Sequence, residues 1–290
     1  MAMNKILKLI QLFLLILAAS KAVSQPSPDC PQSCGNLNIP YPFGTREGCY
    51  MNDTFLVTCN NDNSSTPIPL LGTNNIVVLN ISLEDGEIIV SSPVIRDCYG
   101  TESNNSKDQN GLNLTHFSVS PSRNKFTAVG CDTVGVFMGY DSSQKHVTTR
   151  GCVSMCDTLG EIRNGSCDGI GCCQIGVPDG VYGFAMQSWS INNHSTVRDF
   201  NPCNYAFTVA EGYYNFETTN LKSLENPRLP LVLDWGVGNQ TCEDAQQHRS
   251  SYACKDKNSK CLNSTNGIGY RCKCHHGGNP YVYGGCHGNF

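Results

Sequence analysis

The sequence predicts a mostly β, disulfide-rich protein in which N-terminal cysteine-rich β modules are followed by a small six-cysteine domain. The first observation is the cysteine count, which is 18 in 290 residues. The second is a series of short apolar runs separated by turn residues, a pattern typical of β-strands. The third is that no long segment repeats apolar residues with the period of an amphipathic helix. Such a chain depends on disulfide bonds more than on a large apolar core.

The clearest pair of predicted strands surrounds the tripeptide Glu84-Asp85-Gly86. Residues 76–83 form an apolar run before it, and residues 87–90 form a second run after it. Asp-Gly between two such runs is a strong signal for a β-hairpin. Four further runs rich in apolar, β-branched or aromatic residues predict strands at 126–129, 134–138, 205–209 and 229–233.

The first 24 residues have the pattern of a secretory signal peptide. Lys5 and Lys8 precede an apolar run over residues 9–19, and small residues follow at Ala22 and Ser24. The run is shorter than the roughly 20 residues that a membrane span needs, so we predict cleavage after Ser24, with an uncleaved signal anchor as the alternative. No later stretch approaches spanning length, so we expect no membrane span in the mature chain and a secreted, extracellular protein.

Charge and cysteine content narrow the class of partner. The whole chain has a formal charge of −4, and the first 24 residues contain three lysines and no acids, so the mature chain has a balance of −7. Nucleic-acid binding needs a basic footprint, so nucleic acid is excluded as a partner. An even number of cysteines behind a signal peptide indicates a disulfide framework rather than metal sites.

Asn-x-Ser/Thr sequons are frequent, and none has proline at the middle position. Each used site must lie at the surface of a secreted protein. The nine predicted N-glycosylation sites are Asn52, Asn63, Asn80, Asn104, Asn113, Asn164, Asn193, Asn239 and Asn263.

The last six cysteines are spaced as in an epidermal-growth-factor-like (EGF-like) domain. Cys-x-Cys at Cys272 and Cys274, with Gly269-Tyr270 just before it, is the most specific part of this pattern. The resemblance implies the pairs Cys242–Cys261, Cys254–Cys272 and Cys274–Cys286. The sequence leaves open the pairing of the other twelve: Cys30, Cys34, Cys49, Cys59, Cys98, Cys131, Cys152, Cys156, Cys167, Cys172, Cys173 and Cys203. Two separate bridges are favoured over a strained mutual bond at the adjacent Cys172 and Cys173.

A longer set of motifs covers nearly all of the mature chain. The most extensive are Cys30-Pro-Gln-Ser-Cys34-Gly-Asn-Leu-Asn-Ile-Pro-Tyr-Pro-Phe-Gly44, Asn124-Lys-Phe-Thr-Ala-Val-Gly-Cys131, Asn201-Pro-Cys-Asn-Tyr-Ala-Phe207 and Leu231-Val-Leu-Asp-Trp235. Together they resemble the extracellular part of the plant wall-associated receptor kinases, beginning with a galacturonan-binding module. We predict a signal peptide at 1–24, this module at 25–100, a linker or loop at 101–111, a second cysteine-rich β region at 112–240 and the EGF-like domain at 241–287.

The same resemblance predicts that this chain is not an enzyme. Members of the family continue into a transmembrane helix and a kinase, whereas this sequence carries no glycine-rich phosphate loop and no kinase catalytic loop. The sequence leaves open whether the chain is a secreted short form or an incomplete gene product. Catalysis on pectin is a distant alternative, because the acids show no paired glycosidase motif.

The resemblance implies binding of pectin, meaning de-esterified polygalacturonate or oligogalacturonides, at the plant cell wall. Arginine can pair with a uronate carboxylate in a bidentate way, and aromatic rings can stack on sugars. The only basic residues in 30–98 are Arg46 and Arg96. The candidate ligand-binding residues are Tyr41, Phe43, Arg46, Tyr50 and Arg96. Prolines make 39–44 extended, so Tyr41 and Phe43 share one side, which is more often core than ligand platform.

Calcium is the one cofactor considered, and its support is weak. It could bridge protein and pectin carboxylates, but Gly238-Asn-Gln-Thr-Cys242 lacks the acids of calcium-binding EGF-like domains. Asn263 and Tyr270 match the later positions of those domains only in part, because their spacing is too long. We therefore predict no cofactor and no metal site. The alternative function is a protein-interaction module or soluble decoy that contacts cell-surface proteins without binding sugar.

Overall fold

A computed structural model describes residues 25–61, 66–99 and 111–287. The predicted signal peptide, residues 101–110 of the predicted linker, and the sequons at Asn63 and Asn104 lie outside the described residues. Gly111, the last residue of that linker, begins a strand. Among the described residues, no helix has the length and apolar character that crossing a lipid bilayer requires.

The described residues are mostly β-strand. The strands are β1 (Ser33–Cys34), β2 (Leu37–Asn38), β3 (Val57–Asn60), β4 (Ile68–Leu71), β5 (Val78–Ser82), β6 (Glu87–Pro93), β7 (Ile95–Cys98), β8 (Gly111–Asn113), β9 (Ser118–Val119), β10 (Asn124–Val129), β11 (Asp132–Tyr140), β12 (His146–Met155), β13 (Cys172–Gly176), β14 (Gly183–Trp189), β15 (Cys203–Ala210), β16 (Arg228–Asp234), β17 (Ser259–Asn263) and β18 (Tyr270–Cys274). In this part of the chain the one α-helix is α1 (Cys242–Gln247), and single 3-10 turns occupy Asp53–Phe55, Leu159–Glu161 and Thr218–Leu221. The mostly β fold class is therefore confirmed.

The predicted hairpin forms as β5 and β6, which pair antiparallel across the turn that contains Gly86. Gly86 has a φ of 69°, a left-handed conformation that glycine adopts without a steric cost. The four other predicted strands correspond to β10, β11, β15 and β16, each two to four residues longer than the apolar run that indicated it. Strand pairing therefore extends beyond the most apolar positions.

Three four-stranded antiparallel sheets form the body of the protein. Their strand orders are β13-β10-β15-β7, β12-β11-β14-β8 and β5-β6-β16-β9. Strands from before and after the predicted linker are neighbours in two of these sheets, since β7 pairs with β15 and β6 pairs with β16. The predicted division into regions 25–100 and 112–240 thus does not separate two independently packed units. Pairing between strands so far apart in the chain leaves no local signal in the sequence.

Nine disulfide bonds connect all 18 cysteines. The pairs are Cys30–Cys49, Cys34–Cys59, Cys98–Cys203, Cys131–Cys156, Cys152–Cys173, Cys167–Cys172, Cys242–Cys261, Cys254–Cys272 and Cys274–Cys286. The last three are the pairs that the EGF-like resemblance implies. Cys172 and Cys173 bond to different partners, as expected for adjacent cysteines.

The C-terminal segment, residues 242–286, packs against the sheets instead of standing apart. Asn266, from the loop between β17 and β18, is buried and donates through Nδ2 to Asp234 Oδ2 at 2.7 Å and to the carbonyl of Val119 at 3.0 Å. The amide of Ile268 donates to the Tyr182 hydroxyl at 2.8 Å. These bonds fix the β17–β18 hairpin on the sheet that contains β9 and β16.

An aromatic cluster joins three distant parts of the chain. Trp235, at the end of β16, lies with its ring centroid 5.3 Å from that of Phe43, 5.7 Å from Phe55 and 5.8 Å from Tyr281. All four side chains are at most 4% exposed. Burial of rings this large contributes a major share of the apolar stabilisation at this junction.

Candidate functional site

Tyr41 and Phe43, two of the candidate ligand-binding residues, are buried in the core, which was the position favoured for them over a ligand platform. Phe43 is 1% exposed, and its ring meets Phe55 edge-on at 5.2 Å, while Tyr41 is 6% exposed. Burial raises the pKa of the Tyr41 hydroxyl to about 12. Residues 40–43 form a tight turn in which the Phe43 amide donates to the Pro40 carbonyl at 3.0 Å, so the predicted extended backbone is wrong. Both rings nevertheless lie in the interior, so in this structure neither ring can stack on a sugar. This corrects the prediction for Tyr41 and Phe43.

Tyr50 lies half-buried near the surface, but its surroundings are acidic. Its own desolvation, together with the nearby carboxylates of Asp53 and Glu47, raises the pKa of its hydroxyl. A uronate approaching this ring would meet two like charges. Tyr50 therefore offers a poor contact for a polyanion in the absence of a bridging cation.

Arg46 is exposed and lies in the loop closed by the Cys30–Cys49 bond. Its Nη2 donates to the carbonyl of Asp29 at 2.5 Å, and its Nε lies 3.4 Å from Cys49 Sγ. The guanidinium thus uses some of its five donors to hold its own loop, and the residue remains exposed. Among the five candidate residues, Arg46 keeps the combination of charge and exposure that carboxylate binding needs.

Arg96 is also exposed, but it belongs to a different surface. It lies on β7, where its Nε is 2.9 Å from Cys98 Sγ and its Nη2 is 3.5 Å from Cys203 Sγ. The side chain therefore covers the Cys98–Cys203 bond. The structure places Tyr41, Phe43, Arg46 and Tyr50 within the segment closed by the Cys34–Cys59 bond, and it places Arg96 in a four-stranded sheet.

A cleft of about 380 Å³ lies where the C-terminal segment meets the β5–β6 hairpin, and sequence reasoning did not find it. Its acidic lining residues include Asp85, Glu87, Asp179 and Asp234, with one cation, Arg271. Burial raises the pKa values of Glu87 and Asp234. Nearby arginines, and for Asp234 also hydrogen bonds, lower these pKa values but offset the effect of burial only partly. The surplus of carboxylates makes this cleft unsuited to an anionic polymer.

A second cleft that the sequence analysis missed has the opposite charge. Its volume is about 560 Å³, and its lining residues are Gln246, Arg249, Tyr252, Cys254, Lys255 and Tyr283. The signal for it was available, because residues 242–286 contain six basic and only three acidic residues. The basic ones are Arg249, Lys255, Lys257, Lys260, Arg271 and Lys273.

Asn263, a partial match to a calcium-ligand position, has a structural role. Asn263 Oδ1 accepts from the Cys242 amide at 2.6 Å, and its Nδ2 donates to Glu243 Oε2 at 3.4 Å. Asn263 thereby orients the first turn of α1. Over the described ranges 25–61, 66–99 and 111–287, no three His, Cys, Asp or Glu residues cluster in a way that could hold a metal ion.

The sequon asparagines that the structure describes all lie at the surface. These are Asn52, Asn80, Asn113, Asn164, Asn193, Asn239 and Asn263, and each side chain is exposed. Their positions satisfy the steric requirement for N-glycosylation, and modification of these residues stays a prediction.

Comparison with known proteins gives consistent relatives. Residues 30–92 match the family described as wall-associated receptor kinase galacturonan-binding. Over 271 residues the chain is 39% identical to wall-associated receptor kinase 2 of Arabidopsis thaliana, covering 90% of this chain and 35% of that relative. Wall-associated receptor kinase 5 of the same plant is 38% identical over 91% of this chain and 35% of its own length. No solved structure gives a significant match.

Proposed function

Because the chain belongs to the wall-associated receptor kinase family over the part of those proteins that it spans, we propose that it binds de-esterified polygalacturonate at the plant cell wall. That part is about 35% of the length of the relatives compared above. The observation that carries the proposal is the match of residues 30–92 to the galacturonan-binding family. The chain acts by binding an acidic polysaccharide, and it needs no catalytic group of its own to do so.

The surface chemistry supports a binding role that is electrostatically selective. Residues 30–98 present Arg46 and Arg96 to solvent, and both can pair with a carboxylate. The same residues contain seven acids, so the polymer is held by local contacts and not by a broad positive field. Methyl esters on the uronates remove the carboxylate that arginine recognises, so affinity falls as esterification rises.

The test is direct binding of the purified chain, with its disulfides intact, to oligogalacturonides of defined length. Binding is measured by calorimetry in three series: de-esterified oligomers with calcium, the same oligomers with a chelator, and methyl-esterified oligomers. Saturable binding that weakens with esterification is the expected result. A protein without free thiols that binds none of the three series contradicts the proposal, and the chelator series tests whether calcium bridges the carboxylates.

One observation favours protein contact as a second candidate function. On the sheet β12-β11-β14-β8, Val153, Val134 and Trp189 lie side by side across three strands, and Val153 and Trp189 are 49% and 41% exposed. Exposed apolar rows of this kind are typical of protein-binding surfaces. Retention of the chain on cell surfaces after pectin digestion, with loss of retention in Trp189→Asp, would favour this second function over sugar binding.

A further inference from the structure

Hydrogen bonds and a disulfide bond fix the walls of the basic cleft in the C-terminal segment. Its walls are the loop after α1 and the loop at 280–283, which the Lys255 amide joins by donating to the Pro280 carbonyl at 2.9 Å. The Tyr283 amide donates to Gln25 Oε1 at 3.0 Å, and the Cys254–Cys272 bond ties one wall to β18. The backbone around the cleft is therefore fixed before any ligand arrives, which lowers the entropic cost of binding.

Among the described residues, neither cation of the cleft forms an ion pair with a carboxylate. The ion pairs of the described residues join Arg123 to Glu87 and Lys273 to Glu84, so neither Arg249 nor Lys255 is matched in this part of the chain. Partial burial lowers the pKa of Lys255. Burial removes part of the hydration of the Lys255 ammonium, and a bound anion would compensate for that loss.

Two tyrosines provide flat apolar surface beside these charges. Tyr283 is 70% exposed, and Tyr252 is partly exposed with its other face stacked on Tyr270 at 5.7 Å. The Tyr252 hydroxyl accepts from Gln246 Nε2 at 3.4 Å, so an amide and a phenol lie at hydrogen-bonding positions for sugar hydroxyls. Such a mixture of rings, amide and unpaired cations fits a sugar that carries carboxylates better than a neutral sugar.

We propose that this cleft is a second subsite for the acidic polysaccharide, in which Arg249 and Lys255 bind uronate carboxylates and Tyr252 and Tyr283 contact the sugar rings. The inference rests on the proposed function, because it assigns the same ligand to a surface outside residues 30–92. A polymer that reaches both surfaces is held at two points, so its overall affinity exceeds that of either point alone.

The variant that tests the cleft is Arg249→Gln with Lys255→Gln in the full chain. Its matched control is Arg163→Gln with Lys222→Gln, which removes the same charge at two exposed positions outside the cleft. We expect the cleft variant to lose about tenfold or more in affinity for de-esterified oligogalacturonides, since hydrogen bonds to charged groups are the stronger class. The control should change affinity by less than about twofold, the effect of net charge alone.

A reporter in the cleft gives a second measurement. Tyr283→Trp places an indole at an exposed position, and its emission should shift on addition of oligogalacturonide but not of a neutral galactan oligomer. The shift should disappear when Arg249→Gln and Lys255→Gln are added to it. Unfolding temperature and a thiol assay establish that each variant keeps its fold.

The outcomes separate the two proposals. A wild-type chain that binds oligogalacturonide, together with a cleft variant that binds as well as the control, overturns the subsite and leaves the proposed function standing. A wild-type chain that binds no oligogalacturonide overturns both. Loss of affinity in the cleft variant alone, together with a reporter shift, supports both.

Discussion

The N-terminal segment 30–98 and the C-terminal segment 242–286 use the same residue types in opposite ways. The first contains two basic and seven acidic residues, and its rings Phe43 and Phe55 are buried. The second contains six basic and three acidic residues and presents Tyr283 to solvent. The segment that matches a galacturonan-binding family is thus the more acidic of the two. Side-chain inventory alone therefore does not locate a polyanion site.

The difference follows from how each segment is stabilised. In the N-terminal segment, β5, β6 and β7 join four-stranded sheets, while β1–β2 and β3–β4 form two-stranded sheets. Phe43 and Phe55 pack into the core that these sheets share. The C-terminal segment has three disulfides in 45 residues and a two-stranded sheet, and a unit of this size buries only part of its surface. Two of its four tyrosines, Tyr252 and Tyr283, therefore remain at least partly exposed and available to a ligand, whereas the other two are buried.

The largest expected effect that tests this contrast is the truncation of a ring. Phe43→Ala removes a side chain that contacts Phe55 and Trp235, so we expect a loss of about 3–5 kcal/mol in the free energy of unfolding. Tyr283→Ala should cost less than about 0.5 kcal/mol, because that side chain is exposed. Denaturant unfolding of both variants measures the difference. Equal losses of unfolding free energy would mean that the rings of the two segments do not differ in burial.

The second test concerns Asp256 in the C-terminal segment. Burial opposes its ionisation, but hydrogen bonds from the amides of Asn258, Cys286 and Gly285 outweigh this and lower the pKa of the carboxyl. A lowered native pKa gives stability that is present above the unfolded value of 3.8 and is lost as pH falls through the native pKa. We expect Asp256→Asn to cost about 1–3 kcal/mol at pH 7.

Chemical denaturation from pH 7 to pH 2 measures that dependence. The gap between wild type and Asp256→Asn should be constant above about pH 5 and should narrow below pH 3.8. A gap that did not depend on pH would show that the hydrogen-bonded charge of Asp256 is not its cause.

A smaller effect is expected at the contact between the two segments. Asn279 Nδ2 donates to the carbonyl of Tyr41 at 2.7 Å, and its Oδ1 accepts from the Tyr281 amide at 3.0 Å. Asn279→Ala should cost about 1 kcal/mol in the free energy of unfolding. His287→Ala, at an exposed position, serves as the comparison. Hydrogen exchange at Tyr281 should increase in the first variant only.

The smallest expected effect concerns Glu87, whose pH response has the opposite sign to that of Asp256. Burial raises the pKa of Glu87, and Arg123 at 3.6 Å offsets this in part. The native state therefore takes up a proton before the unfolded state does, and the wild type gains stability as pH falls from 7 toward 4.5. Glu87→Gln should lack this gain, with a difference within about 1 kcal/mol. Parallel pH profiles for the two proteins would contradict this prediction.

Local patterns in the sequence predicted the β5–β6 hairpin, because both strands and their Asp-Gly turn are contiguous. They did not predict that β6 pairs with β16, since that contact depends on residues far apart in the chain. The Pro-Tyr-Pro-Phe alternation indicated an extended backbone, whereas residues 40–43 form a turn, and the burial of Phe43 depends on its contacts with Phe55 and Trp235. The basic cleft combines Arg249 and Lys255 with Tyr283, which only the folded C-terminal segment brings together.

The pairing of β6 with β16 has a consequence during synthesis. Ser91 on β6 and Arg228 on β16 are bonded in the finished protein but are 137 residues apart. At translation rates of about 5–20 residues per second, β16 is synthesised on the order of ten seconds after β6. Until β16 is made, β6 is an open sheet edge. Two of its residues, Ile88 and Val90, are fully buried in the folded protein. The nascent chain thus passes through an interval in which a chaperone or a wrong strand can occupy the place of β16.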